Sequence, residues 1–214
     1  MEKGLELIFK IKKEPKVFIN QKSLRSFDNF IGGYDYCAYE NNIYDCNCWH
    51  GFQEYVEKKY NSHTTHGWAQ LIDFYSDSDE EAFDNFFKIF EEFLKMPQKP
   101  FKNYFNEEIK PSNYELLKRI YKRPGLYLRI KSLRNLFEFL NGYIYCCKTY
   151  NIEENFHLNK FEKHLQKKYK TSNRSWYKIL SFNCLTDELC FDKFFIEYSE
   201  FLETKLKVTL SFDN

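Results

Sequence analysis

A chain of 214 residues, 43% hydrophobic, 29% charged and 20% aromatic, has the composition of a folded globular protein that can fill a large core. A formal charge of +1 excludes a uniformly basic nucleic-acid binder, and no run approaches the ~18 apolar residues of a membrane-spanning helix. Seven cysteines, an odd number without the spacing of a disulfide scaffold, point to buried thiols in a reducing cytoplasm, and the charged stretch from Met1 to Pro15 lacks the apolar centre of a signal peptide.

The elements occur twice. Residues 5–94 and 114–202 read as diverged copies of one unit, with Leu24/Leu133, Phe30/Phe139, Gly33/Gly142, Tyr36/Tyr145, Cys37/Cys146 and Phe52/Phe161 matching at an offset of 109. After a one-residue gap, Trp68/Trp176, Phe74/Phe182, Asp84/Asp192, Phe86/Phe194 and Phe87/Phe195 match at 108. The expected fold is mainly α: two tandem similar lobes of about four helices each, with short extended segments. The expected boundaries are a first helical repeat over 1–96, a linker over 97–111 and a second repeat over 112–214.

In chain order, Val17-Phe18-Ile19 reads as a short extended run. Gly33 falls mid-helix, where glycine costs about 1 kcal/mol relative to alanine; its recurrence as Gly142 predicts a close crossing with another backbone. A short segment starts at Trp68. Ser78 with Glu81 reads as a capping box opening the last helix of the first copy. The linker carries Pro97, Pro100 and Pro111. In the second copy, 112–122 places Leu116, Leu117, Ile120 and Tyr121 at helical spacing, with Ser112 as cap. Pro124-Gly125 breaks that helix, and Leu126-Tyr127-Leu128 follows as an extended run. A long helix over about 132–149, capped by Ser132, carries an apolar stripe from Leu133 to Cys147. Helices over 158–169 and about 187–204, the latter capped by Thr186 and carrying Leu189, Cys190, Phe191, Phe194 and Phe195, complete the copy around a short segment at Trp176. The tail from Lys207 to Phe212 alternates like a strand.

Chemistry-bearing patterns are few. Cys46, Cys48, His50, His63 and His66 place five zinc-type ligands close together, but as C-x-C and H-x-x-H, spacings shorter than most zinc sites use. The second copy has no counterpart ligands, so a polar loop with incidental His and Cys is the plainer reading; a zinc-binding enzyme or module built on Cys46, Cys48, His63 and His66 is the alternative. His157 and His164 read as partly buried histidines rather than bases. No glycine-rich phosphate loop and no nucleophile elbow occurs.

Charge is uneven. Residues 1–108 hold 13 Lys+Arg against 19 Asp+Glu, and 109–214 hold 19 against 12. In the acidic segment 73–84, Asp79, Glu80 and Asp84 recur as Asp187, Glu188 and Asp192 and read as structural acids at a helix start. Asp73, Asp77 and Glu81 are particular to the first copy and are the candidate partner-binding residues, facing a basic partner. The cations Lys58-Lys59 and Lys167-Lys168 suit helix C-termini. A nucleic-acid-binding regulator using the basic second copy is a further alternative, less favoured because the aromatics follow core periodicity instead of forming a stacking face.

The string Arg123-Pro124-Gly125-Leu126-Tyr127-Leu128, then Ser132-Leu133, Phe139-Leu140-Asn141-Gly142-Tyr143, Ser175-Trp176 and Asp187-Glu188 with Phe191-Asp192-Lys193-Phe194-Phe195, resembles small bacterial immunity proteins of polymorphic toxin systems. The first copy departs from it, with Lys16 at the place of Gly125 and Asn47 at that of Phe156. The resemblance implies a cytoplasmic, non-catalytic protein that needs no cofactor or metal and neutralises a cognate protein toxin by binding it. The acidic copy suits a basic toxin such as a nuclease.

Overall fold

The computed structural model describes residues 2–43, 47–63, 65–97, 113–209 and 212. Among these there are helices and no strand. The helices are α1 (Lys3–Lys13), α2 (Pro15–Phe18), α3 (Leu24–Glu40), α4 (Phe52–Tyr60), α5 (Trp68–Phe74), α6 (Asp79–Leu94), α7 (Asn113–Lys122), α8 (Pro124–Leu128), α9 (Leu133–Tyr150), α10 (Leu158–Lys168), α11 (Trp176–Phe182) and α12 (Asp187–Phe201). A 3₁₀ turn at Asn47–Trp49 precedes α4, and a π-helical turn at Leu202–Leu206 extends α12.

Local signals set the helix starts. Ser23, Ser78, Ser132, Ser175 and Thr186 each accept a hydrogen bond from the backbone N–H three residues on, at the starts of α3, α6, α9, α11 and α12, each cap worth about 1 kcal/mol. At α6 the expected capping box is only half formed: Glu81 Oε2 accepts from the N–H of Asp77, at 2.8 Å, not from that of Ser78. The runs expected to be extended are instead helical. Val17 and Phe18 belong to α2, and Leu126, Tyr127 and Leu128 to α8. Pro15 and Pro124 end one helix and start the next, because proline lacks an N–H yet has the φ of a first helical turn. The tail is not a strand among its described residues. Lys207 turns left-handed (φ +58°), and Phe212 packs on Tyr121 and Phe195 at 5.6 and 4.9 Å. The expected cap Ser112 and most of the linker lie outside the described residues.

α3 and α9 form the axis of the molecule. They run in the same direction: Gly33 and Gly142 meet the opposite chain at Phe139 and Phe30, and further along both helices Cys37 meets Cys147 with their sulfurs 3.5 Å apart. A Cβ on Gly33 would lie 1.9 Å from the carbonyl oxygen of Phe139, and one on Gly142 would lie 1.8 Å from that of Phe30. Each carbonyl occupies the space a side chain would take, so the glycine Cα–H points at it; such contacts contribute about 0.5–1 kcal/mol each. Around this seam the side-chain contacts are reciprocal. Tyr36 packs on Tyr127 and Phe139, and Tyr145 packs on Phe18 and Phe30.

The aromatic interior repeats in the same way. Trp68 lies against Phe52 and Phe86, and Trp176 against Phe161 and Phe194. Buried side chains of both halves join in one cluster through α3 and α9. The polar scaffolding recurs too. Lys22 pairs with Asp84 at 2.7 Å and Lys131 with Asp192 at 2.7 Å; the N–H groups of Arg25 and Arg134 donate to Asp79 and Asp187. Lys59 pairs with Glu92, and Lys168 with Glu200. With Glu80, 3.4 Å from Lys22, these contacts account for Asp79, Glu80 and Asp84 as acids that hold α6 against the start of α3.

Candidate partner-binding surface

The packing of α5 and α11 under the last helix of each half leaves their C-terminal ends pointing outward. Phe74 is 78% exposed at the end of α5, and Tyr75 beside it is 49% exposed. The Tyr75 ring stacks on Tyr60, at 4.5 Å and 4° between planes, and meets Phe74 edge-on at 5.1 Å. This stack makes an aromatic ledge with limited rotamer freedom, a low-entropy surface for a partner to cover.

Of the three acids singled out in the sequence, the structure brings two to this ledge. Asp77 and Glu81 are exposed at the start of α6, one turn apart, joined by the Asp77 N–H to Glu81 carboxylate bond. Asp73 is turned to the other side of α5, 3.6 Å from the Arg25 guanidinium. There it lines a cleft of about 340 Å³ between the halves, with Leu24, Gln70, Arg129, Ile130 and Asn135. Inside this cleft Arg129 grips Asp28 with both nitrogens, Nη2 to Oδ1 and Nε to Oδ2, each at 2.7 Å. Burial pushes the Asp28 carboxyl up to about 6, against the pull of the guanidinium. Arg129 has φ +63° and sits in a tight turn in which the Ile130 N–H donates to the Leu128 carbonyl at 2.7 Å. The ion pair holds this strained residue in place.

The equivalent corner at α11–α12 was not singled out by the sequence. Phe182 is 90% exposed, Leu185 96% and Leu189 53%. Leu185 and Leu189 stand where Asp77 and Glu81 stand in the first half. Leu189, counted among the apolar positions of the last helix, faces solvent, because the stripe of α12 that meets the core is Cys190, Phe191, Phe194, Phe195 and Tyr198. The signal available beforehand was the pair Leu185 and Leu189 at an offset of 108 from Asp77 and Glu81.

The remaining candidates are separated. Cys46 lies outside the described residues, and His50, His63 and His66 are exposed; Cys48 is buried but, against the expectation of thiols, disulfide-bonded. A disulfide sulfur offers no thiolate to a metal. Among the described residues no three His, Cys, Asp or Glu side chains converge as a metal site. His164 rests on Phe201 at 5.7 Å, and burial lowers its pKa; His157 is the left-handed residue before α10. Cys37, Cys146 and Cys147 are buried at the α3–α9 seam. For Cys37 the hydrogen bond with Cys146 and burial push the thiol up, and for Cys147 the hydrogen bond with Cys37 and burial do the same. Such thiols are poor nucleophiles.

One carboxylate is out of place. Glu138 of α9 is fully buried and accepts from the N–H and Nδ2 of Asn20, at 3.5 and 3.1 Å. Its Oε2 and the Nε of Arg134 have no hydrogen-bond partner. Burial pushes the Glu138 carboxyl up to about 7.

Comparison with protein-family models, with curated proteins and with solved structures returned no match. The helices described here include none long and apolar enough to cross a membrane.

Proposed function

We propose that the chain is a non-catalytic binding protein, an immunity protein that neutralises a cognate bacterial toxin by direct contact in the cytoplasm. The observation that carries this reading is the α5–α6 corner, where exposed Phe74 and Tyr75 stand beside the carboxylates of Asp77 and Glu81. Aromatic anchors with a charged rim are the usual make-up of a protein interface. The acidic rim favours a basic toxin, a nuclease among them, since complementary charge speeds encounter and rejects like-charged surfaces. The two halves are read as copies of one module, of which the first has turned acidic at this corner. Asp73 is assigned a supporting role, holding Arg25 behind the ledge.

The test is co-expression with the product of the neighbouring open reading frame. The wild-type chain should protect the host and co-purify with that product. The triple variant Phe74→Ala, Asp77→Lys, Glu81→Lys should lose both while keeping its helical circular-dichroism spectrum. Full protection by the triple variant would reject this corner as the contact. A neighbouring product that is neither toxic nor bound would reject the immunity reading.

A further inference from the structure

The contacts that hold α6 and α12 use up equivalent charges in both halves. Asp79 and Asp187 accept from the N–H groups of Arg25 and Arg134, and Glu80 and Glu188 pair with Lys22 and Lys131. What remains at the two corners differs in sign. At α5–α6 the surplus is acidic, Asp77 and Glu81. At α11–α12 the side chains of Arg174 and Lys178 are exposed and, among the described residues, form no ion pair. They stand where His66 and Gln70 stand in the first half. They border a groove of about 370 Å³ whose other walls include Tyr169, Ile179 and Phe182. Leu185 and Leu189 follow its wall residue Asn183 in the chain and are exposed, so the second corner carries large apolar side chains with a cationic edge. The first is an aromatic ledge with an anionic edge.

We infer that a second copy of this chain is the occupant: the α11–α12 corner of one molecule docks on the α5–α6 corner of another. Phe74 enters the groove beside Ile179 and Phe182, Leu185 and Leu189 cover the Tyr75–Tyr60 stack, and Asp77 and Glu81 face Lys178 and Arg174. Large exposed apolar side chains grouped in this way mark contact surfaces, and charges of opposite sign at the two edges select this pairing over like with like. The contact is heterologous, using a different surface on each molecule. A second copy would cover the same α5–α6 corner that the toxin reading assigns to a partner, so the two occupants exclude one another; the purified chain alone tests self-association, whether or not the toxin reading holds.

Sedimentation velocity of the full chain over a wide concentration range at low salt should show mass-action association that weakens as salt is raised. Leu185→Asp should abolish it. Arg174→Glu with Lys178→Glu in one molecule should weaken self-association about tenfold or more, and so should Asp77→Lys with Glu81→Lys. Mixing these two charge-reversed proteins should still give a tight complex through their unaltered corners, Asp77/Glu81 of the first meeting Arg174/Lys178 of the second. A chain that is monomeric at every concentration and salt overturns the inference. So does association that survives Leu185→Asp, or a charge-reversed mixture no tighter than either variant alone.

Discussion

Alanine at Gly33 tests the architecture at its narrowest point. The new Cβ would lie 1.9 Å from the Phe139 carbonyl oxygen, 2.7 Å from its carbon and 3.1 Å from its Cα. All three are backbone atoms, so no side-chain rotation relieves the clash. A carbon can approach a carbonyl oxygen to about 3.4 Å, so α3 and α9 must part by about 1.5 Å. Alanine in place of glycine in a helix gains about 1 kcal/mol by itself. Against this stand overpacking, at the upper end of about 1–3 kcal/mol because backbone must move, and loss of the reciprocal Cα–H contacts, about 1 kcal/mol more. The net expectation is destabilisation by about 3 kcal/mol, a fall in melting temperature of about 6–12 °C for a chain of this size. Gly32 is the control: it neighbours Gly33 on the same helix, and a Cβ there meets nothing within 4 Å. Urea denaturation followed by circular dichroism should show Gly32→Ala equal to or more stable than wild type and Gly33→Ala clearly weaker. Gly142→Ala should match Gly33→Ala, and the double variant should cost less than the two together, since one separation of the helices accommodates both methyl groups. Equal stability of the Gly32 and Gly33 variants would refute the close crossing.

Two further outcomes follow from buried charges. Glu138, raised from 4.5 to about 7, binds a proton more tightly folded than unfolded. Between those values the unfolded chain is ionised while the native one is not, so this group's contribution to stability declines as pH rises from about 4.5 to about 7. Glu138→Gln should flatten that decline in pH-resolved urea titrations; an unchanged slope would remove Glu138 as its source. Asp28→Ala leaves Arg129 without its partner in a half-buried, strained turn, and should cost about 3 kcal/mol. A double-mutant cycle with Arg129→Ala should recover part of that cost, whereas strict additivity would deny the coupling.

Much of the molecule was legible from local chemistry. Hydroxyl caps at Ser78, Ser132 and Thr186 mark helix starts because the groups they satisfy lie within three residues. The pairing of Gly33 with Gly142 foretold a backbone crossing, since glycine kept mid-helix twice has a cost that only close approach offsets. The α2 and α8 turns differ from the extended expectation: Val-Phe-Ile and the Tyr of Leu-Tyr-Leu have strand propensity, and only the packing of Tyr127 against Tyr36 and of Phe18 against Tyr145 shows which conformation suits these runs. Exposure was the part beyond reach. Leu189 and Phe191 are both apolar and two residues apart on one helix; which of them meets Tyr121 and which meets water depends on where α7 and α9 lie. Asp73 and Asp77 are likewise equal as sequence, yet one faces Arg25 in the cleft and the other the open corner. Helix identity follows from interactions a few residues long, whereas a surface is defined by what the rest of the chain fails to cover, and that is settled only once α3 and α9 have brought the two halves together.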